Sequence, residues 1–271
     1  MMRKIVHISD LHFGAADALV AERLAESIDE IRPDVVVVSG DLTQRARRSQ
    51  FREARAFLDR LEFPQLVVPG NHDVPLYNVV GRFANPLENY QRYITSDLEP
   101  FYLDEELAVA GVNTARSLTI KGGRINRSQI EKIRSRMCEI GDKALKVVVT
   151  HHPFDVAEGG DEGSIVGGAE LAMPAIASCG ADVFLSGHMH VSRVSHSARR
   201  YQLPGGYSAL IVQAGTAISS RSRGEANSFN VIEFENPSLS IYRLECSAPT
   251  GTFDPKYVEH FVRTAQGWAT V

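Results

Sequence analysis

The sequence predicts an α/β protein, a four-layer α/β/β/α sandwich in which two packed mixed β-sheets carry helices on their outer faces. Three observations predict it. Short apolar runs alternate with helical patterns through the first half, which implies parallel strands joined by right-handed crossovers. After residue 190 the pattern turns all-strand, resembling an antiparallel meander. The apolar runs of the first part also end in aspartate, asparagine or histidine, not only in turn formers. The chain has 271 residues, enough to bury a large core. It shows no repeat, low-complexity segment or linker, so 1–271 reads as one domain: motifs over 5–190, C-terminal strands over 191–247 and a tail over 248–271.

The elements follow in order. "KIVHIS" reads as a strand. "DALVAERLAESIDEI" places Leu19, Leu24, Ile28 and Ile31 near one face of a helix, which Pro33 ends. "DVVVVSG" is a continuous β-branched run, as in a strand buried on both faces. "SQFREARAFLDRL" is helical and "QLVVPG" is a third strand. Residues 75–100 read as a loop with a helix around "NPLENYQRYI". "ELAVAGVN" is a strand, and "INRSQIEKIRSRM" is a helix with Asn126 and Gln129 spaced as a capping box. "ALKVVVT" and "ADVFLSG" are buried strands separated by a helix near "AELAMPAIAS". "VSRVSH", "YSALIVQAG", "FNVIEFE" and "LSIYRLEC" form the expected meander. In the tail, Phe253, Tyr257 and Phe261 recur at even spacing, which predicts an edge strand with one apolar face, packed on the domain or on a second subunit.

Composition narrows the partners. The chain is 44% hydrophobic and 23% charged with a net charge of −4, so it has no overall basic field for a nucleic acid polymer or an anionic membrane. Cys138, Cys179 and Cys246 are too few and too scattered for a disulfide framework or a thiolate zinc site, as suits a reducing compartment. No run is long enough to span a bilayer, and "MMRKIVHISD" lacks a signal-peptide core. The expected location is the cytoplasm.

The residues just past the apolar runs carry the chemistry. Asp10 and His12 follow the first strand, Gly40 and Asp41 the second, and Gly70, Asn71, His72 and Asp73 the third. His151, His152 and Pro153 follow "KVVVT", and Gly187, His188, Met189 and His190 follow "VFLS". Ligands of open α/β sheets gather at the carboxyl ends of strands. Buried acids and imidazoles are costly there unless they pair or bind metal. Each glycine that precedes a candidate ligand lets the backbone turn sharply.

Taken in order, Asp10-Leu-His12, Gly40-Asp41, Gly70-Asn71-His72-Asp73, His151 and Gly187-His188-Met189-His190 resemble the calcineurin-like metallophosphoesterase superfamily. Its pattern is D-x-H, G-D, G-N-H-[DE], H and G-H-x-H. The resemblance spans residues 5–190 and implies a β-sandwich flanked by helices, in agreement with the elements above. It also implies two divalent ions per chain. Asp10, His12, Asp41 and His190 would hold the first; Asp41, Asn71, His151 and His188 would hold the second, with Asp41 bridging. Carboxylate, amide and imidazole donors suit Mn²⁺, Fe or Zn²⁺ better than Ca²⁺ or a thiol-seeking metal. Adjacent His151 and His152 diverge on an extended chain, so one binds directly. The family's use of the first histidine of H-H-P selects His151 and leaves His152 as a supporting group.

Two close ions clamp the attacking and leaving oxygens of a phosphoryl displacement and activate a water held between them. No protein nucleophile is needed. By resemblance, His72 contacts the phosphate and protonates the leaving group, with Asp73 holding its imidazole. Asn71, His72 and His190 would meet the substrate, with Arg45 and His152 as further candidates. The "GNHD" form and the compact chain favour the class III cyclic-nucleotide phosphodiesterase branch, hence a small phosphodiester substrate of the cyclic-nucleotide or glycerophosphodiester type. Serine/threonine protein phosphatases of the superfamily carry G-D-x-V-D-R-G and G-N-H-E, from which "GDLTQRA" and "GNHD" depart. The alternatives are a phosphomonoesterase, a nucleotide-conjugate or lipid-precursor pyrophosphatase, a nuclease, or a scaffold without catalysis. Family members often dimerise, so a homodimer is an expected assembly.

Other features have plainer readings. His7, His196 and His260 are read as core or surface residues, and Met173 and Cys179 as core. The arginine-rich run 45–55 is a solvated helix face, or a source of one arginine for the phosphate. Asn113, Arg116 and Arg124 are assigned structural roles near the pocket mouth. Residues 153–167, acidic and glycine-rich, are either a lid or a surface loop.

Overall fold

The computed structural model describes residues 2–76, 84–117, 121–220 and 224–271; residues 77–83 of the loop expected over 75–100 lie outside them. Two sheets face each other. The first contains β1 (Arg3–Ile8), β2 (Val35–Val38), β3 (Gln65–Val67), β10 (Ser228–Glu235), β11 (Ser238–Ser247), β12 (Thr252–Thr264) and β13 (Gly267–Thr270), in the order β13-β12-β11-β10-β1-β2-β3. The second contains β4 (Phe101–Leu103), β5 (Leu107–Gly111), β6 (Leu145–Val149), β7 (Val183–Ser186), β8 (Arg193–His196) and β9 (Leu210–Gln213), in the order β4-β5-β6-β7-β9-β8. Strands β1, β2 and β3 run parallel, as do β5, β6, β7 and β9. Helices α1 (Ala18–Ile31), α2 (Arg48–Asp59) and α3 (Glu88–Tyr93) flank the first sheet, and α4 (Arg127–Met137) and α5 (Ala169–Ala177) the second.

The valine run of β2 shows why both faces of its sheet are apolar. Val36 and Val38 pack toward the helices with Leu24 and Phe51, while Val35 and Val37 pack between the sheets with Val147 and Leu185. Helix α1 starts where Asp17 accepts the N–H groups of Leu19 and Val20 at 2.9 and 3.1 Å, and stops at left-handed Arg32 (φ 52°), just before Pro33. Leu24 and Ile28 are buried; Leu19 and Ile31, at the helix ends, are not fully covered. Asn126 and Gln129 exchange the two bonds of the capping box, at 2.9 and 3.1 Å.

Three expectations need correcting. The late strands are not one meander. Strands β8 and β9 complete the second sheet, and the chain then crosses to lay β10 antiparallel on β1. The tail is an edge strand only in part, because β13 pairs with the end of β12, Phe261–Thr264, while among the described residues Thr252–Glu259 has β11 on one side alone. Its even spacing of aromatics also fails to mark one face. The β11–β12 register shifts so that Arg243 faces Tyr257 while Leu244 faces Pro255. This bulge inserts Lys256 and reverses the alternation. Phe253 therefore joins the helix-side core and Phe261 the inter-sheet core, while Tyr257 is 55% exposed. Finally, the scattered cysteines yield one disulfide, Cys138–Cys179, which joins the ends of α4 and α5 across 41 residues of sequence.

Among the described residues, no helix is long and apolar enough to cross a membrane.

Candidate metal centre

The carboxyl ends of the parallel strands of both sheets meet. Asp10 and His12 follow β1, Asp41 follows β2, Asn71 follows β3, His151 follows β6, and His188 and His190 follow β7. The backbone at these positions is unusual. Of the seven described non-glycine residues with positive φ, five are Asp10, His12, Asp41, His188 and His190, at 49–71°. Left-handed backbone is disfavoured for residues with a Cβ, and such strain clusters at functional sites. Gly40 (φ 95°) supplies the turn before Asp41, as expected. Gly187 serves close approach instead: a Cβ there would collide with the side chains of Ser9 and Asp10.

Donor atoms of Asp10, His12, Asp41 and His190, all buried, lie within 4.8 Å of one another. Asp10 Oδ1 sits 3.1 Å from His190 Nε2 and 3.6 Å from His12 Nε2, and the two Nε2 atoms are 3.2 Å apart. Asp10 Oδ2 is held by the Ser9 hydroxyl at 2.6 Å and by the His188 backbone N–H at 3.0 Å. Oδ1 is left buried with no hydrogen-bond partner. An orphaned carboxylate oxygen facing two imidazole nitrogens is unfavourable alone and suits a divalent cation. The residues therefore fit a metal.

A second cluster adjoins the first. Asn71 Oδ1 lies 3.0 Å from His151 Nε2 and 3.1 Å from His188 Nδ1, and Asp41 Oδ1 lies 3.4 Å from His151 Nε2. Asp41 Oδ2 lies 3.9 Å from His12 Nε2, so the two Asp41 oxygens face different clusters. Burial pushes the Asp41 carboxyl up, but the His151 charge outweighs it and holds Asp41 well below the usual carboxylate range. Burial lowers His151, yet Asp41 and Asp10 raise it overall, to about 9. His151 Nδ1 donates to the Ser39 carbonyl at 2.8 Å, which leaves its second proton on Nε2, toward Asp41 and Asn71. Burial lowers His12 and His188 to about 4.

His72 and Asp73 depart from the expected pairing. The His72 ring lies edge-on to that of His12, with centroids 5.0 Å apart, but its Nδ1 donates to the Gln44 carbonyl at 3.0 Å, not to Asp73. The Asp73 carboxylate accepts the backbone N–H groups of Leu42, Thr43 and Gly70 and the Thr43 hydroxyl, at 2.9–3.2 Å. It staples the loop after Asp41 to the loop that carries Asn71. Burial, reinforced by the Asp41 charge, raises Asp73 to about 6. Arg45 stands next to Gln44, and its backbone N–H donates to Gln50 at 2.9 Å.

The supporting hydroxyl residues went unread in the sequence, although a signal existed. Serine or threonine closes four of the apolar runs, as Ser9, Ser39, Thr150 and Ser186. Ser9 holds Asp10, and Ser39 holds His151 through its carbonyl and His7 through its hydroxyl, at 2.9 Å. Loop 153–167 is tied down at its start. Asp155 is buried, with Arg200 at 2.8 Å and Arg193 at 3.2 Å, and the Tyr201 hydroxyl donates to the Phe154 carbonyl. Arg116 is committed to the carbonyls of Asn113 and Ala115 and to Gln129, a structural role as expected.

Fold and site together define an α/β/β/α sandwich with a buried cluster of acid and imidazole groups that could hold metal at the shared strand ends. The chain belongs to the calcineurin-like phosphoesterase family, whose model matches residues 3–192. It is 29% identical over 169 residues to a glycerophosphodiester phosphodiesterase of Enterobacter lignolyticus, covering 55% of this chain and 57% of that one. It is 24% identical over 164 residues to a probable cyclic nucleotide phosphodiesterase of Synechococcus, covering 56% and 59%. The matches thus span little more than half the length of either relative. Among solved structures, a purple acid phosphatase from yellow lupin shares the fold, with a TM-score of 0.67 at 12% identity, over 95% of this chain and 53% of that one.

Proposed function

We propose that this chain is a metal-dependent phosphohydrolase cleaving small phosphodiesters, with two divalent ions (Mn, Fe or Zn) as cofactors and 1–271 as a single catalytic unit. The observation that carries the reading is the convergence of two donor clusters on the two oxygens of Asp41. Asp10, His12, Asp41 and His190 would hold one ion, and Asp41, Asn71, His151 and His188 the other. Such ions supply Lewis acidity and lower the pKa of bound water.

The remaining work falls to the chain. His72 Nδ1 is committed to the Gln44 carbonyl, so Nε2 is the nitrogen left for the substrate. A protonated His72 donates from Nε2 to the departing oxygen, while the anchored Nδ1–H keeps the ring from swinging away. Asp73 acts at a distance from the substrate, keeping the loops of Asp41 and Asn71 in register. In this reading Asn71 and His190 would contact the phosphate, with Arg45, on the same loop as Gln44, as a further candidate contact. The Enterobacter and Synechococcus relatives are named for glycerophosphodiester and cyclic-nucleotide cleavage, which supports a diester substrate.

The test is a turnover screen of Mn²⁺-loaded protein on cyclic nucleotides, glycerophosphodiesters, nucleoside diphosphate conjugates and monoesters. Diesters are expected to give the highest kcat/KM. Turnover of monoesters alone would overturn the diester reading, and no metal-dependent turnover at all would overturn the enzymatic one.

A further inference from the structure

His152 lies among the metal-binding candidates, grouped with His151 and His188, and is fully buried. Both of its ring nitrogens are already committed. Nε2 is 2.9 Å from the Lys121 carbonyl, and Nδ1 is 2.8 Å from the Thr114 hydroxyl. A carbonyl oxygen only accepts, so Nε2 carries the proton and Nδ1 accepts from Thr114. In this tautomer neither nitrogen has a lone pair to give a metal. The ring is edge-on to His151 at 4.9 Å between centroids and tilted against His188 at 4.7 Å. On its other side a Cβ on Gly123 would collide with it. The segment it grips is fixed elsewhere too: the Arg124 N–H donates to the Thr114 carbonyl, and Gln129 donates to the Asn113 carbonyl.

We infer that His152 is a positioning residue: it wedges Thr114, Lys121 and Gly123 against the rings of His151 and His188 and so fixes the orientation of the second cluster. The inference rests on the metal-centre reading above and assigns this residue a role within it. Groups that orient ligands typically change metal affinity or activity by about 10–100-fold when removed. His152→Phe keeps a ring of similar size but loses both hydrogen bonds. His152→Gln keeps a donor that can reach Lys121.

The test combines ring-nitrogen NMR with metal titration. On adding Zn²⁺ to metal-stripped protein, the ring nitrogens of His151 and His188 should shift, while those of His152 keep the Nε2–H pattern. His152→Phe should weaken one of the two binding events by about 10–100-fold, His152→Gln should recover most of the loss, and Thr114→Val should reproduce part of it. A His152 nitrogen that shifts as a ligand does, or equal metal loss in Phe and Gln with Thr114→Val silent, would overturn the inference. If no imidazole shifts with Zn²⁺, the metal-centre reading itself fails. Should His152→Phe not fold, the wild-type spectra and Thr114→Val still decide.

Discussion

Metal uptake should expel a proton from His151. Its Nδ1 is bonded to the Ser39 carbonyl, so the proton that must leave is the one on Nε2, between Asp41 and Asn71. Asp41 and Asp10 raise this imidazole to about 9 against the effect of burial. Below that pH a cation must displace a proton, and above it none is in the way. Apparent affinity should therefore rise with pH and level off near 9. One competing proton is worth tenfold per pH unit, about 1.4 kcal/mol. From pH 6 to pH 8 the gain is roughly a hundredfold, or about 2.7 kcal/mol. The assay is calorimetric titration of EDTA-stripped protein with Mn²⁺ in two buffers of different ionisation enthalpy. The measured heat should differ between buffers by at least one proton's worth at pH 7. Identical heats and a flat affinity over pH 6–8 would refute the argument.

Two further outcomes follow from named contacts. His72→Ala should keep its metal and lose about 10²–10⁴-fold in turnover of alkyl or ribose diesters, but far less with a nitrophenyl diester, whose leaving group hardly needs a proton; equal losses on both would remove the proton-donor role. Asp182, buried beside Arg263 at 3.1 Å and Trp268 at 3.0 Å, is raised to about 6, chiefly by burial. Because its folded pKa exceeds the unfolded one, the stabilisation from protonation is complete below about 4 and lost as pH rises through about 6, in all about 3 kcal/mol. Urea unfolding of Asp182→Asn should lack this fall, so curves that stay parallel to wild type from pH 4 to 7 would contradict it.

Much of the centre was legible because each candidate ligand directly follows a short, strongly apolar strand. Side-chain type and position in the chain were enough to find Asp10, Asp41 and His188. What holds them was less legible. The left-handed backbone at five of these residues has no signature in residue type, since aspartate and histidine also occur elsewhere. The Gln44 carbonyl that anchors His72 is a backbone group, and any residue could supply it. Asp73 looked like the natural partner of His72, yet its oxygens are taken up by backbone N–H groups of two loops. In the tail, regular spacing misled because one inserted residue, Lys256, reverses the alternation. Cys138 and Cys179 lie 41 residues apart, and only the packing of α4 against α5 brings them together.

The central claim is that Asp41 joins the two clusters, one oxygen toward His12 and the other toward His151. It is tested most directly by elemental analysis of folded Asp41→Ala protein beside wild type, with the fold of each confirmed by circular dichroism. Two divalent ions per wild-type chain, and neither retained in Asp41→Ala, are the predicted result. Two ions still bound to folded Asp41→Ala would contradict the account.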